Sequence, residues 1–268
     1  MWISQTKNKE YHKIKIARRD TLDSTVLSVY NLKKIYHTKK EEILAVDNFS
    51  FSLHKGEIVA IVGPSGCGKS TILNMIGGLI EKSGGKIDFK TKKNISYMLQ
   101  EDALFPFRTV YKNCLLGLEI KNINTPENQK YVNNLIQKYG LEEFKNSLPS
   151  NLSGGMRQRV ALIRTLATHP NFILLDEPFS ALDFQSRLML TDDVYKIIKE
   201  ENISTIIITH NIEEAASLAD RVIVLSDRPS IIKNIYTTNF NEIPSINRKN
   251  KNFNSLCNQI WKDIDIHV

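Results

Sequence analysis

The sequence has no apolar run approaching the roughly 18 residues that a membrane span needs. Its longest runs, such as "FILL" and "TIIIT", have the length of buried strands. The N-terminal "MWISQTKNKEYHKIKIARRD" is basic but lacks the apolar centre of a secretory signal. A soluble, cytoplasmic protein is the expectation. Cysteine is scarce: Cys67, Cys114 and Cys257 are the three in 268 residues. They have neither metal-ligand spacing nor a paired framework, which fits a reducing compartment. Internal repeats are absent, and so is the aromatic-interleaved basic stripe that binds single strands. The excess charge is positive, +7 with a pI near 9.1. That balance favours anionic partners such as nucleic acid, acidic lipid or phosphate ligands, or is simply a solvated lysine-rich surface.

What is present is ordinary globular material, 41% hydrophobic and 24% charged, enough for a sizeable core. Residues 1–24 show no sustained periodicity and read as a flexible basic leader. Strand signals begin at Val26 with "VLSVYNL", then "NFSFSL" and "EIVAIV". The second alternates and is expected half-exposed; the third is expected to be buried on both faces. A glycine-rich turn and the helical "KSTILNMIGGLI" follow, then strands in "SGGKIDF" and "NISYML". From about 101 to 160 the pattern turns helical, which suggests an inserted helical subdomain. Beyond it, apolar strands "NFILLD", "STIIIT" and "RVIVL" alternate with helices, arguing for an α/β core with a largely parallel sheet. These features divide the chain into a domain over 25–228 and an extension over 229–268 with a weak helix at its end.

The stretch "GPSGCGKST" fits G-x-x-x-x-G-K-[ST] and sits between a buried strand and a helix. Its backbone N–H groups, from Gly63, Pro64, Ser65, Gly66, Cys67 and Gly68 onward to Thr71, form a candidate phosphate cradle completed by the helix N-terminus (Pro64 contributing no N–H). Lys69 is expected on the β- and γ-phosphates and Ser70 on Mg²⁺. Cys67 reads as a small filler, with a redox role as the weaker reading. "NFILLDEPFSALD" brings an apolar strand ending in Asp176, suited to Mg²⁺ through a water. Glu177 follows, placed to polarise an attacking water as general base. Two carboxylates beside a polyphosphate would repel it without the metal, so ATP and Mg²⁺ are the implied ligands.

These motifs, with "LSGGM" before the second and "SALD" and "TH" after it, occur in the order of ABC-type ATPases, which the chain resembles from Tyr36 to beyond His210. The resemblance implies a P-loop NTPase cassette: a RecA-like core, an antiparallel β subdomain and an inserted α-helical subdomain. It implies that the signature Ser153, Gly154, Gly155 and Met156 faces ATP held by the opposite subunit. The serine and the bare glycine N–H groups at a helix start suit such an anion seat. One chain carries a single copy of each motif, so a homodimer, or a pair with a related subunit, is implied. Tyr36 takes the position of an aromatic that stacks on adenine. Gln100 takes that of the Q-loop glutamine on Mg²⁺ or water, and His210 that of the switch histidine on the γ-phosphate. The D-loop Ser180, Ala181, Leu182 and Asp183 would lie at the dimer seam.

The insert is too short for the coiled coil of DNA-repair members, and only one cassette is present, unlike soluble translation factors. The resemblance thus implies a transport subunit on the cytoplasmic face of the cell membrane, docked on an integral permease and serving an extracytoplasmic solute-binding protein indirectly. No nucleic acid is expected. A soluble ABC ATPase in nucleic-acid or assembly work is the alternative. Phe105, Pro106 and Phe107 are candidates for lining the permease groove, or for simple core packing. "LFPFRTVYKN" and "THNIEEAASLADRVIVLSDRPS" resemble importer ATPases for nitrate, sulfonates, taurine and thiamin precursors. Phe107 in place of Trp, Asn211 in place of Asp, and a tail reading "EIPSINR" depart from that pattern.

Overall fold

The computed structural model describes residues 24–39, 41–91 and 94–264. All but the last residue of the expected leader lies outside the described residues. In chain order the elements are β1 (Thr25–His37), β2 (Glu42–His54), β3 (Ile58–Val62), α1 (Lys69–Gly77), β4 (Gly84–Phe89), β5 (Ile95–Met98), α2 (Val110–Ile120) and α3 (Pro126–Lys138). They continue with α4 (Gly154–Leu166), β6 (Phe172–Asp176), α5 (Phe184–Glu200), β7 (Ser204–Ile208), α6 (Ile212–Leu218), β8 (Arg221–Leu225), β9 (Ile232–Thr237), α7 (Pro244–Asn247) and α8 (Phe253–Ile264).

Two sheets organise the chain. The first is antiparallel in the order β2-β1-β4. In β2, Phe49, Phe51 and Leu53 are buried while Asn48 and Ser50 face out, the alternation of a strand with one wet face. The second sheet has the order β5-β6-β7-β3-β8-β9, parallel from β5 to β8 with β9 antiparallel at its edge. Every residue of β3, β6 and β7 is buried, as expected where both faces are covered. Successive side chains of β3 feed opposite cores. Ile58, Ala60 and Val62 join the cluster that includes α4, α5 and α6 residues, while Val59 and Ile61 join that of α1 and the antiparallel sheet.

Helix α4 runs unbroken across position 160 to Leu166, with Val160, Ile163 and Leu166 in the core. The extension after 228 is built into the domain. It supplies β9 to the main sheet, and Phe253, Cys257 and Ile260 of α8 enter the larger core cluster. The sequence reading identified α8 but not β9, whose residues are half-exposed and carry no apolar run.

Asn113 sits fully buried on α2 and organises the segment ahead of it. Its Nδ2 donates to Arg108 O at 2.9 Å and its Oδ1 accepts from Phe105 N at 2.9 Å. Truncation would strip those backbone groups of their partners. Asn113→Ala is therefore expected to lower folding stability by about 1–3 kcal/mol, read as a lower thermal midpoint and faster proteolysis between 101 and 110.

Candidate active site

Strands β6, β7, β3 and β8 lie side by side and parallel, so their carboxyl ends meet at one edge of the sheet. The glycine-rich loop leaves β3 there, Asp176 and Glu177 end β6, His210 follows β7, and the segment 226–230 follows β8. Such an edge is where open α/β sheets take ligands. A cavity of ≈ 670 Å³ opens there, with Gly63, Ser65, Gly66, Gly68, Lys69, Ser70 and Thr71 on one side and Gln100, Glu177 and His210 on the other.

The loop is shaped for an anion. Helices α2, α3, α4, α5 and α6 are each capped by a side chain, from Thr109, Thr125, Ser153, Asp183 and Asn211. Gly68 precedes α1 at φ +122 with no side chain to cap it. The first-turn N–H groups of α1 are left for a ligand. Lys69 folds back over the loop, its Nζ donating to Gly63 O and Pro64 O at 2.8 Å each. Cys67 is buried in the loop wall, its Sγ 4.0 Å from Lys69 Nζ. Tyr36 stands at the mouth, half-exposed, with its hydroxyl 3.3 Å from Thr71 Oγ1 and the Lys34 ammonium over its ring.

Asp176 is buried, and its Oδ1 has no hydrogen-bond partner. Burial pushes its carboxyl up, with a hydrogen bond to Ser70 pulling the other way. A hydroxyl, a carboxylate with an orphaned oxygen and the nearby Gln100 amide are oxygen donors of the kind that hold a hydrated Mg²⁺. Among the described residues no cluster of three or more His, Cys, Asp or Glu could hold a metal alone. The Ser70 hydroxyl, Asp176 carboxylate and Gln100 amide oxygens fit a hydrated cation.

Glu177 is held in an unusual backbone state, at φ +48. For a non-glycine residue that conformation costs about 1–3 kcal/mol and persists where its surroundings over-determine it. Here Glu177 N–H donates to Ile208 O at 2.9 Å, and its carbonyl accepts from Gln158 Nε2 at 3.2 Å and Ser180 Oγ at 3.1 Å. The side chain points to His210 and Gln100, with Oε2 3.2 Å from His210 Nδ1 and 3.5 Å from Gln100 Nε2. A carboxylate presented between an imidazole and an amide can accept a proton from a water bound there.

Ser153, Gly154, Gly155 and Met156 are not brought to this cavity. They start α4, Ser153 Oγ accepting from Met156 N at 3.3 Å. Gly154 opens on a separate groove of ≈ 400 Å³ lined by Met98, Gln100, Ser180 and Ala181 among others. The two glycines have different reasons. A Cβ on Gly155 would stand 2.8 Å from Leu182 Cδ2, so close packing of the D-loop accounts for it. A Cβ on Gly154 would meet nothing nearer than 3.8 Å; internal packing does not require that glycine. Asp183 caps α5, accepting from Ser186 N at 3.0 Å, and hydrogen bonds from Ser186 lower its carboxyl.

Two residues stood outside the motif reading. Gln158 on α4 joins the signature helix to both neighbouring loops, since its Oε1 also accepts from Ala181 N at 3.3 Å. Its signal was a polar residue among the apolar positions of "RQRVALI". Glu214 on α6 is fully enclosed behind His210, with Oε1 unpaired. Burial pushes its carboxyl up to about 7, against the pull of Thr209, Arg187 and Arg248, and Glu177 pushes the same way as burial.

Comparison with known proteins bears on this arrangement. Residues 46–180 match a family model described as ABC transporter. The uncharacterized ABC transporter ATP-binding protein YtlC of Bacillus subtilis is 40% identical over 89% of this chain and 95% of its own. The aliphatic sulfonates import ATP-binding protein SsuB 2 of Pseudomonas syringae pv. tomato is 41% identical over 69% of this chain and 77% of its own. Among solved structures, the dimeric bacterial ABC transporter cassette MJ0796 superposes with a TM-score of 0.73 at 30% identity, over 80% of this chain and 100% of that one. The same cassette in a dimeric post-hydrolysis state with ADP and Pi gives 0.72 at 29% identity, with the same coverage of both chains.

The enclosed Glu214 makes stability depend on pH. The folded protein keeps this carboxyl protonated up to about 7, whereas the unfolded chain releases the proton near the ordinary value of 4.5. This contribution is therefore full below 4.5, falls as pH rises toward 7 and is level above it. Glu214→Gln is expected to flatten that fall, checked by denaturant midpoints at about pH 5 and about pH 8.

Proposed function

The chain belongs to the ABC transporter family as an ATP-hydrolysing cassette, and from that premise we propose that it powers a membrane importer of a small solute. The observation that carries the proposal is that the phosphate loop and the signature's Gly154 line different openings of one chain. Neither opening is a whole reaction centre. Two copies arranged head to tail bring the signature of each against the γ-phosphate held by the other, and bury two ATP molecules between them.

Within that arrangement the loop N–H groups and Lys69 hold the phosphates, and Tyr36 stacks on the adenine. Ser70, Asp176 and Gln100 would hold Mg²⁺, which would neutralise charge on the phosphates. Glu177 accepts the proton of the attacking water, and His210, its Nδ1 3.2 Å from the Glu177 carboxylate, steadies the γ-phosphate side. Asp183 and its D-loop neighbours lie at the seam between the copies.

The importer half of the proposal rests on the surface beyond Gln100. Phe107 is 76% exposed and Phe105 40%, their rings 5.5 Å apart. These residues do not fill the core, and an apolar patch of this kind suits a helix from a permease. The likeness to a protein named for aliphatic sulfonate import supports a sulfonate-like anion, within the wider reading of a small anionic or heterocyclic solute such as nitrate, taurine or a thiamin precursor. No helix among the described residues is long and apolar enough to cross a membrane, so membrane attachment would run through that permease.

Glu177→Gln is expected to cut ATP hydrolysis about a hundredfold or more while ATP now holds a stable dimer in size-exclusion with light scattering. Turnover at the wild-type rate would remove Glu177 from the base role. Phe107→Asp is expected to leave ATP binding intact and release the subunit from membranes carrying its permease, read by co-sedimentation.

A further inference from the structure

The phosphate loop is braced from outside by the segment 226–230 that follows β8. After β8 the chain turns through 226–230 and is tied to itself, with Ser226 Oγ donating to Pro229 O at 3.0 Å and Ile231 N donating to Ser226 Oγ at 3.0 Å. It is also tied to β2, where Ser230 N donates to Ala45 O at 2.9 Å and Asp47 N donates to Ser230 O at 3.1 Å. From this fixed base two side chains reach the loop. Arg228 Nη2 donates to Gly66 O at 2.7 Å, and the buried Ser230 Oγ donates to Cys67 O. The approach is close enough that a Cβ on Gly68 would stand 2.9 Å from Ser230 Oγ.

Both acceptors belong to peptide units whose other end is a candidate phosphate donor. In a trans peptide the C=O and N–H point to opposite sides of one plane. Holding Gly66 O and Cys67 O on the outer side turns the N–H groups of Cys67 and Gly68 toward the cavity. Cys67 N–H has only a long contact in the loop, 3.4 Å to Pro64 O. A donor on each carbonyl also polarises the peptide and makes its N–H a better anion donor, more so when that donor is a guanidinium.

We propose that Arg228 and Ser230 are positioning residues of the phosphate cradle, aiming the Cys67 and Gly68 N–H groups at the diphosphate part of the nucleotide through the outer carbonyls of Gly66 and Cys67. This rests on the loop binding ATP, as argued above, and adds two residues that never touch the ligand. Because the N–H groups of such a loop serve the α- and β-phosphates, ADP and ATP depend on the clamp alike. The contribution is the same in ground and transition states, so it falls on KM and leaves kcat in place.

The test is calorimetric binding of MgADP and MgATP to the full chain and to Arg228→Ala, Arg228→Lys and Ser230→Ala, with thermal unfolding of each nucleotide-free protein. Arg228→Ala, at an exposed site, is expected to bind both nucleotides about tenfold more weakly with an unchanged melting temperature, and Arg228→Lys to regain most of the loss. Ser230→Ala is expected to weaken both nucleotides in the same way. The Arg228→Ala loss should persist in about 0.5 M salt, where a through-space attraction would be screened away. Wild-type affinity in Arg228→Ala, a loss confined to ATP, or a loss that vanishes in salt would each overturn the clamp. A wild-type chain that binds neither nucleotide would instead overturn the ATP reading beneath it.

Discussion

The hydrogen-bonded ladder joining β3 to β7 and β8 is the constraint from which the site follows. Ala60 and Ile61 pair with Ile207 and Ile208 on one side and with Val222 and Ile223 on the other. Parallel register sets the ends of these strands level, and β6 joins them with Asp176 opposite Ile208. The phosphate loop, the paired carboxylates, His210 and the bracing segment all leave the sheet within a few residues of those last pairings. Glu177 makes the dependence explicit, since its strained backbone is anchored on the ladder itself through Ile208 O. A slip of one residue would carry each of these groups to the wrong face.

On that scaffold the helical insert is joined to the carboxylates through α4. Gln158 reaches the Glu177 carbonyl and the D-loop N–H of Ala181. Arg157 pairs with Asp102 at 2.8 Å, and Arg164 donates to the carbonyls of Asp102 and Ala103. The segment after Gln100 that carries Phe105 and Phe107 therefore hangs from the helix that begins with the signature. A continuous chain of contacts thus links that apolar segment through α4 and Gln158 to the backbone of Glu177.

Much of this was legible in the residues, and the gaps have physical causes. The phosphate loop, Asp176, Glu177 and the helix start at Ser153 could be read because each depends on local rules: strand burial and the need for bare N–H groups. α8 lies at the end of the extension, where the sequence indicates a weak helix. β9 could not be read, because an edge strand with one wet face leaves little apolar pattern. The pairing of Gly155 with Leu182 was hidden for a different reason: a close approach between distant segments leaves no trace in either one alone. Asn113, Gln158 and Glu214 share that character. Each is a polar residue in an apolar face, and only the fold reveals which backbone groups or charges it answers.

The residues after 228 acquire their significance from the same reasoning. Asn247 Nδ2 donates to Ser217 O at 2.8 Å, Arg248 pairs with Glu213 at 3.1 Å, and α8 packs against α6. α6 begins directly behind His210, and its first turn contains the enclosed Glu214. Arg248 also faces that carboxyl from the tail, while Arg187 faces it from α5. Both guanidinium groups pull that carboxyl down against its burial, so the acid on α6 interacts electrostatically with the tail and with α5. The tail therefore acts on the same helix whose N-terminus sets His210 against Glu177. Its packing belongs to the geometry of the site as much as the motifs do.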